Sequence, residues 1–262
     1  MINTPLEKYE MFGREIFVKR EDLQGDGIKL PRWGKIYAIK NYIDNNIDKT
    51  KPLTTLSVDG SWSGWVVSSI CNDLGIEHIY SFPNSKKFNK NILDDVVSLY
   101  PNIKLNPLKP NMTSIMYNGL KGKCNKNGTQ IIPYGFEHED FISVFEERVK
   151  EYNYFDNLIV SSGSGISLIG LTRGFMKRKS QKVISICVSS ENTISKRLRK
   201  YELSDVEIYK SKYDFSNRMD DYITPFPTNQ FWDRKGWKWL EENIKTIKGS
   251  ILFWNLGGEY RY

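Results

Sequence analysis

The chain has 262 residues, 38 Lys and Arg against 31 Asp and Glu for a net charge of +7, and is 39% hydrophobic and 13% aromatic. That balance fits one large or two small globular domains and excludes a disordered chain; at this length roughly 70–75% of the unfolded surface can be buried without metal or disulfide staples. No run of about 18 apolar residues exists to span a membrane, the N-terminus lacks signal-peptide regions, and the three scattered cysteines (Cys71, Cys124, Cys187) form neither a disulfide framework nor a zinc pattern, so a reducing cytoplasm is expected.

In chain order, strand-like runs are expected at 16–19, 54–58, 78–82, 103–105, 130–133, 158–161, 183–188, 206–209 and 251–254. Helix-like stretches are expected after Lys35 and at 65–74, 89–99, 114–124, 139–152, 166–178, 194–201 and 230–244. This alternation predicts an α/β protein with mainly parallel sheets, and short apolar strands such as Val183-Ile-Ser-Ile-Cys-Val188 suit sheets covered on both faces. Polar, turn-rich breaks at 45–52 and 122–128 predict a smaller α/β domain at 49–125, inserted in a larger domain of 1–48 plus 126–262. A ligand would then lie in the cleft between the lobes.

The basic residues are scattered, with the densest group at Arg173, Lys177, Arg178, Lys179 and Lys182, followed by Lys196, Arg197, Arg199 and Lys200. A solvated basic face accounts for them; an anion-binding surface that would suit nucleic acid is the alternative. Two elements carry chemistry. In Ser161-Ser-Gly-Ser-Gly-Ile-Ser167, Gly163 and Gly165 let backbone N–H groups approach an anion, Ile166 opens a helix whose positive end faces it, and Ser162, Ser164 and Ser167 add hydroxyl donors. The pattern is neither a nucleotide P-loop nor a full dinucleotide fingerprint, because Leu168 stands at its third glycine position. Lys35, which follows Gly34, can act as a Schiff-base nucleophile if burial lowers its pKa. A lysine and a phosphate-cradling loop on one chain suggest a carbonyl cofactor that bears a phosphate.

The chain resembles the fold-type-II pyridoxal phosphate (PLP) enzymes, the tryptophan synthase beta-like group, and most of all their 1-aminocyclopropane-1-carboxylate deaminase and D-cysteine desulfhydrase branch. The resemblance rests on Thr4-Pro-Leu6, Val18-Lys-Arg-Glu-Asp-Leu23, Arg32-Trp-Gly-Lys-Ile36, the loop glycines and serine Gly163, Gly165, Ser167 and Gly170, and the terminal Ile251-Leu-Phe-Trp-Asn-Leu-Gly-Gly258. It implies two lobes, each an open, mainly parallel sheet flanked by helices, a homodimer, and PLP held as a Schiff base on Lys35. The 161–167 loop would bind the cofactor phosphate, and freed Lys35 would act as general base or acid at Cα.

Departures from the family pattern are equally specific. A Ser-Asn pair that precedes a helix in the family falls on Ser61 and Trp62, so the asparagine that meets the ring hydroxyl is replaced. Gly34 stands where the family has asparagine, and Asn255 and Leu256 replace a His-Thr pair beside the pyridine nitrogen. The region from 190 to 225 is trimmed relative to the family. Ser61 would bind a substrate carboxylate or relay a proton, and otherwise reads as a helix N-cap. Tyr134 and Tyr260 are substrate-side candidates, and Tyr262 could also reach the cleft. Asp233, Arg234 and Lys235 resemble a substrate-side family segment loosely. His78 reads as structural, His138 as a helix start, and no metal site is expected. Trp232, Trp237 and Trp239 at helical spacing read as core, with a stacking platform as the alternative.

Three functions follow. The leading expectation is a PLP-dependent lyase or deaminase-like enzyme acting at Cα of an amino acid or amine. The second is a PLP enzyme that processes, for instance by decarboxylation, an amino-acid-modified base in DNA, as in bacteriophage thymine hypermodification. The third is a non-catalytic descendant that kept the fold as a binding protein, with Trp62 filling the ring site.

Overall fold

A computed structural model describes residues 3–86, 88 and 91–259. Its ten strands and eight α-helices divide into two compact units, and each unit holds one sheet. The first comprises residues 3–24, Arg32–Ala38 and Glu139–Glu259; the second comprises Gly25–Pro31 and Ile39–His138.

The first unit contains a six-stranded sheet ordered β1 (Leu6–Met11), β2 (Arg14–Arg20), β10 (Ile251–Asn255), β7 (Asn157–Ser162), β8 (Lys182–Cys187) and β9 (Val206–Lys210). All neighbours are parallel except β1 and β2. That hairpin was not expected, because Leu6-Glu-Lys-Tyr-Glu-Met11 has no apolar run. Its two-residue turn, Phe12-Gly13, has φ of 51° and 75°. Positive values at both positions match the right-handed twist of the flanking strands.

Alternate residues of this sheet face opposite layers. Ile16, Val18, Ile159, Ile184, Ile186, Ile251 and Phe253 form one apolar core with Trp237 and Leu240 of α8 (Asp233–Asn243). On the other face Trp254 meets Tyr152, just beyond α5 (Glu139–Val149), with ring centres 5.9 Å apart. Helix α5 packs closely on α6 (Ile166–Phe175), because a Cβ at Gly170 or Gly174 would overlap the carbonyl oxygens of Ile142 or Glu146. Gly170, matched above to a phosphate-loop glycine, is thus required by helix packing. Helix α7 (Glu191–Lys200) starts earlier than expected, where Ser190 caps the amide of Thr193.

The second unit carries a parallel sheet ordered β5 (Ile103–Leu108), β4 (His78–Pro83), β3 (Leu53–Leu56) and β6 (Gln130–Ile131), with α2 (Ser63–Leu74), α3 (Asn91–Leu99) and α4 (Thr113–Asn127). Helix α1 (Ile36–Asn46) begins in the first unit and ends in the second. The boundaries therefore differ from the expected 48/49 and 125/126. The Gly122–Gly128 stretch is no break: it is the last turn of α4, closed by Gly128 at φ 68°. Strand β6 then adds to the small sheet through Leu53 and Thr54, which moves the division to Glu139. Among the described residues no helix is long and apolar enough to cross a membrane.

Candidate active site

In the first unit the candidate residues converge at the carboxyl ends of β2, β10 and β7, where ligands of open α/β sheets bind. Register places Asn255 opposite Arg20 and Trp254 opposite Val160, so the chain leaving β10 lies beside the Ser161–Ser167 loop leaving β7. The Lys35 turn is tied to this end of β10. Trp33 forms a bridge with Gly257, the Gly258 amide donates to the Arg32 carbonyl at 2.9 Å, and the Gly34 amide donates to the Leu256 carbonyl at 2.6 Å. Behind it, Gln24 Nε2 donates to the Gly34 carbonyl at 3.0 Å and to the Glu21 carboxylate.

Gly34 has a steric reason to differ from the family's asparagine. A Cβ there would stand 2.6 Å from Glu21 Cβ and 3.3 Å from Leu256. Glu21 cannot retreat, being fully buried and held by Arg148 at 2.8 Å and Thr4 at 2.7 Å.

Lys35 keeps some exposed surface as a residue, but its amine is enclosed, 5.3 Å from the centre of the Trp33 ring. Burial pushes the amine pKa down to about 8, opposed by the Asp233 carboxylate. Asp233, the first residue of α8, is 2% exposed and accepts the Leu256 amide at 3.1 Å. Burial pushes its carboxyl up to about 7, against the Leu256 amide and Lys35. Both groups are thus shifted toward neutrality by burial, and each acts on the other through its charge at the end of β10. The sequence had connected Asp233 with nothing beyond a loose family segment, since its partners lie far away along the chain.

The glycine loop has two glycines with two jobs. Gly165 takes φ 83° as the N-cap of α6, where a side chain would be strained. Gly163 gives room to a neighbour, because a Cβ there would overlap the Trp232 indole. Its carbonyl accepts from Ser189 Oγ at 2.6 Å, and the Ser164 carbonyl accepts from Arg197. Ile166 and Ser167 are buried, so Ile166 can offer a ligand only its backbone. Ser161 Oγ and Ser162 Oγ are buried with no hydrogen-bond partner among the described residues. Asn255 Oδ1 is a third such atom; the Asn255 amide nitrogen donates to Asp22 at 2.8 Å and to the Pro227 carbonyl at 3.0 Å. Flipping the amide would set oxygen against oxygen, so this buried acceptor is fixed in need of a donor.

The remaining candidates belong to the second unit or fall outside the described residues. Ser61 and Trp62 precede α2 in the second unit, where Ser61 Oγ donates to Ser63 Oγ at 2.9 Å and accepts the amide of Ser63, the first helical residue, at 3.3 Å. Trp62 is buried, with its ring edge-on to Trp65 at 5.8 Å. Tyr134 is 37% exposed on a 3-10 turn of that unit, 5.3 Å from the Tyr117 ring. Tyr260 and Tyr262 lie outside the described residues. His78 hydrogen-bonds Ser68 at 2.8 Å and Thr55 at 3.2 Å, and burial pushes its pKa down to about 3, as suits a structural histidine. Among the described residues no cluster of three or more His, Cys, Asp or Glu could hold a metal ion.

No family model matches the chain. It is similar in structure to a hydrogen sulfide-producing enzyme from Fusobacterium nucleatum, with a TM-score of 0.72 at 15% identity over 98% of this chain and 95% of that one. It is likewise similar to a threonine deaminase from T.th., at a TM-score of 0.74 and 12% identity over 100% and 94% of the two chains. A pyridoxal 5'-phosphate-dependent aspartate racemase gives 0.68 at 14% identity over 99% and 91%. The chain has the fold-type-II architecture. In sequence, this fold-type-II chain is 27% identical to a glycyl-dTMP PLP-dependent decarboxylase of Pseudomonas phage M6, across 97% of this chain and 98% of that protein.

The first unit of the fold-type-II chain fits such a cofactor on its own geometry. The glycine loop at a helix N-terminus suits a phosphate, an amine with a lowered pKa suits an aldehyde, and the orphaned Asn255 Oδ1 suits a ring N–H.

Proposed function

We propose that the protein is a PLP-dependent enzyme that removes the carboxylate from an amino-acid substituent carried on a pyrimidine nucleotide. The observation that carries the cofactor reading is the enclosed Lys35 amine, lowered to about 8 beside Asp233 at the strand ends that also bear the orphaned Ser161, Ser162 and Asn255 atoms. The similarity to the phage decarboxylase, through nearly the full length of both chains, supports the substrate and the bond broken.

Lys35 would hold the cofactor covalently at its aldehyde carbon, with the 161–167 loop on the phosphate and Asn255 Oδ1 accepting from the ring nitrogen. When bound, the cofactor supplies a sink for the electron pair left at Cα. The bond from Cα to the carboxylate breaks, carbon dioxide leaves, and a proton takes its place. Lys35 would deliver that proton, since an amine titrating near 8 is present in both forms at working pH. Asp233 supports the protonated amine through its charge.

Purified protein should be yellow, and borohydride should fix the cofactor on Lys35 in a peptide map. Unreduced, PLP-loaded protein should release carbon dioxide from the glycyl-substituted thymidylate. Release of ammonia from free amino acids, with the nucleotide inert, would favour the deaminase-like reaction instead. Protein that stays colourless after incubation with PLP would overturn the cofactor reading and favour a non-catalytic binding protein.

A further inference from the structure

The three tryptophans that share helical spacing in the sequence have different surroundings. Trp237 is core, 4.8 Å from the Phe226 ring and 5.2 Å from Phe253. Trp239 packs on Tyr209 at 4.8 Å. Trp232 precedes α8 and is half-buried, with one edge of its indole against the Cα of Gly163 in the glycine loop. It is the chain neighbour of Asp233, the partner of Lys35. Its ring centre lies 4.6 Å from that of Phe215, tilted by 45°, and Phe215 lies 5.6 Å from Phe231. The Arg218 guanidinium stands 5.8 Å over the Phe231 ring and pairs with Asp220 at 2.7 Å.

Phe215 and Arg218 belong to an irregular segment between β9 and α8, and that segment is pinned by buried cations. Lys235, 1% exposed, donates to the carbonyls of Asp214 at 2.6 Å and Phe215 at 3.3 Å. Arg234, 4% exposed, donates to the carbonyls of Met219 at 2.7 Å, Asp220 at 3.2 Å and Thr228 at 3.3 Å. Apart from the Arg234–Glu259 pair at 3.1 Å, these two adjacent buried cations spend their donors mainly on neutral backbone, so their desolvation is offset largely by hydrogen bonds that fix the segment. Burial also lowers the Lys235 amine to about 8. What these ties hold in place is Phe215 beside Trp232, at the border of the glycine loop.

We propose that Trp232 and Phe215, with Phe231 and Arg218 behind them, form a stacking shelf that receives the pyrimidine ring of the substrate. The inference rests on the nucleotide reading of the substrate given above. Aromatic faces of this kind accept a planar base through its π-face, and a neighbouring guanidinium strengthens the contact. A free aliphatic amino acid has no group that would use them.

The test is calorimetric titration of the cofactor-loaded protein with thymidine 5′-monophosphate and, separately, with deoxyribose 5-phosphate. The nucleotide should bind at least about ten-fold more tightly than the sugar phosphate, the share expected of one stacked base. Phe215→Leu should remove about ten-fold of the nucleotide affinity and none of the sugar phosphate affinity, and Trp232→Leu should do at least the same. Trp232→Phe, which keeps a stacking face, should retain most of the binding. If a Trp232 variant fails to fold, the Phe215 variant decides. Equal affinity for the two probes, or unchanged nucleotide affinity in Phe215→Leu, overturns the shelf. A protein that takes no cofactor but binds the nucleotide with this pattern keeps the shelf and refutes the cofactor reading.

Discussion

Replacing Gly34 with alanine is the most direct perturbation of the lysine turn. The new methyl carbon would sit 2.6 Å from Glu21 Cβ, whereas carbon atoms pack best at about 3.5–4.0 Å. About 1 Å of overlap must be relieved by moving the backbone, since Glu21 is fixed by Arg148 and Thr4 and Leu256 closes the opposite side at 3.3 Å. Overpacking of this kind costs about 1–3 kcal/mol. With a shift of about 2–4 °C per kcal/mol for a chain of this size, the melting temperature should fall by about 2–12 °C. The movement also strains the hydrogen bonds to Leu256 and Gln24, so borohydride fixation of PLP on Lys35 should slow in the same variant. Gly34→Asn, with a larger side chain at the same position, should be worse. Gly122→Ala is the control: it lies in α4 with nothing within 4 Å of the new carbon, and should be neutral or stabilising by up to about 1 kcal/mol. A Gly34→Ala protein that melts within about 1 °C of the parent and takes up cofactor at the parent rate would refute the steric reasoning.

Asp233→Asn keeps an acceptor for the Leu256 amide but removes the charge that raises the Lys35 pKa, while burial stays. The amine should titrate below about 8, as read from competitive acetylation of the cofactor-free protein across pH; an upward move would contradict the assignment. His78, at about 3 folded against 6.5 free, refuses a proton that the unfolded chain accepts. Stability should therefore be level above about pH 6.5 and fall as pH drops toward 3, with about 2 kcal/mol lost by pH 5. His78→Gln should flatten that slope in urea titrations. Arg148→Met leaves Glu21 buried with only Lys19 at 3.9 Å as a counter-charge, and should cost about 3–5 kcal/mol in urea unfolding. Adding Glu21→Gln should recover part of that loss.

The α/β alternation and the glycine loop were legible in the sequence because each is written in a local run of residues. Strand β1 was not, because its side chains alternate between charge and half-buried surface and its pairing depends on the turn at Phe12-Gly13. Helix α8 begins later than its pattern implied, since Asn229 Oδ1 accepts the Phe231 amide at 2.9 Å and makes a turn there first. The domain boundary was misplaced for a related reason: a cluster of Lys, Asn and Gly reads as a break, while only pairing reveals that β6 completes the small sheet. At the site, the Lys35 context and the Ser161–Ser167 loop could be found by pattern. The meaning of Gly163, Gly170 and Gly34 could not, since each glycine is required by a distant neighbour: Trp232, Ile142 or Glu21. Asp233 was hidden in the same way, as a carboxylate whose partners come from the start and the end of the chain.

Strand β10 follows the other described strands in sequence, yet it lies between β2 and β7 in the middle of the larger sheet. Until it emerges from the ribosome, the N-terminal hairpin and the β7–β9 sheet each present an unfilled edge, and the lysine turn has no Leu256 carbonyl to hold. Assembly of this unit therefore waits on long-range pairing, a slow class of folding step. Nascent chains halted before Ile251 should be prone to edge-to-edge association. Lys35 is thus kept from its final geometry until a strand far downstream of it has been made.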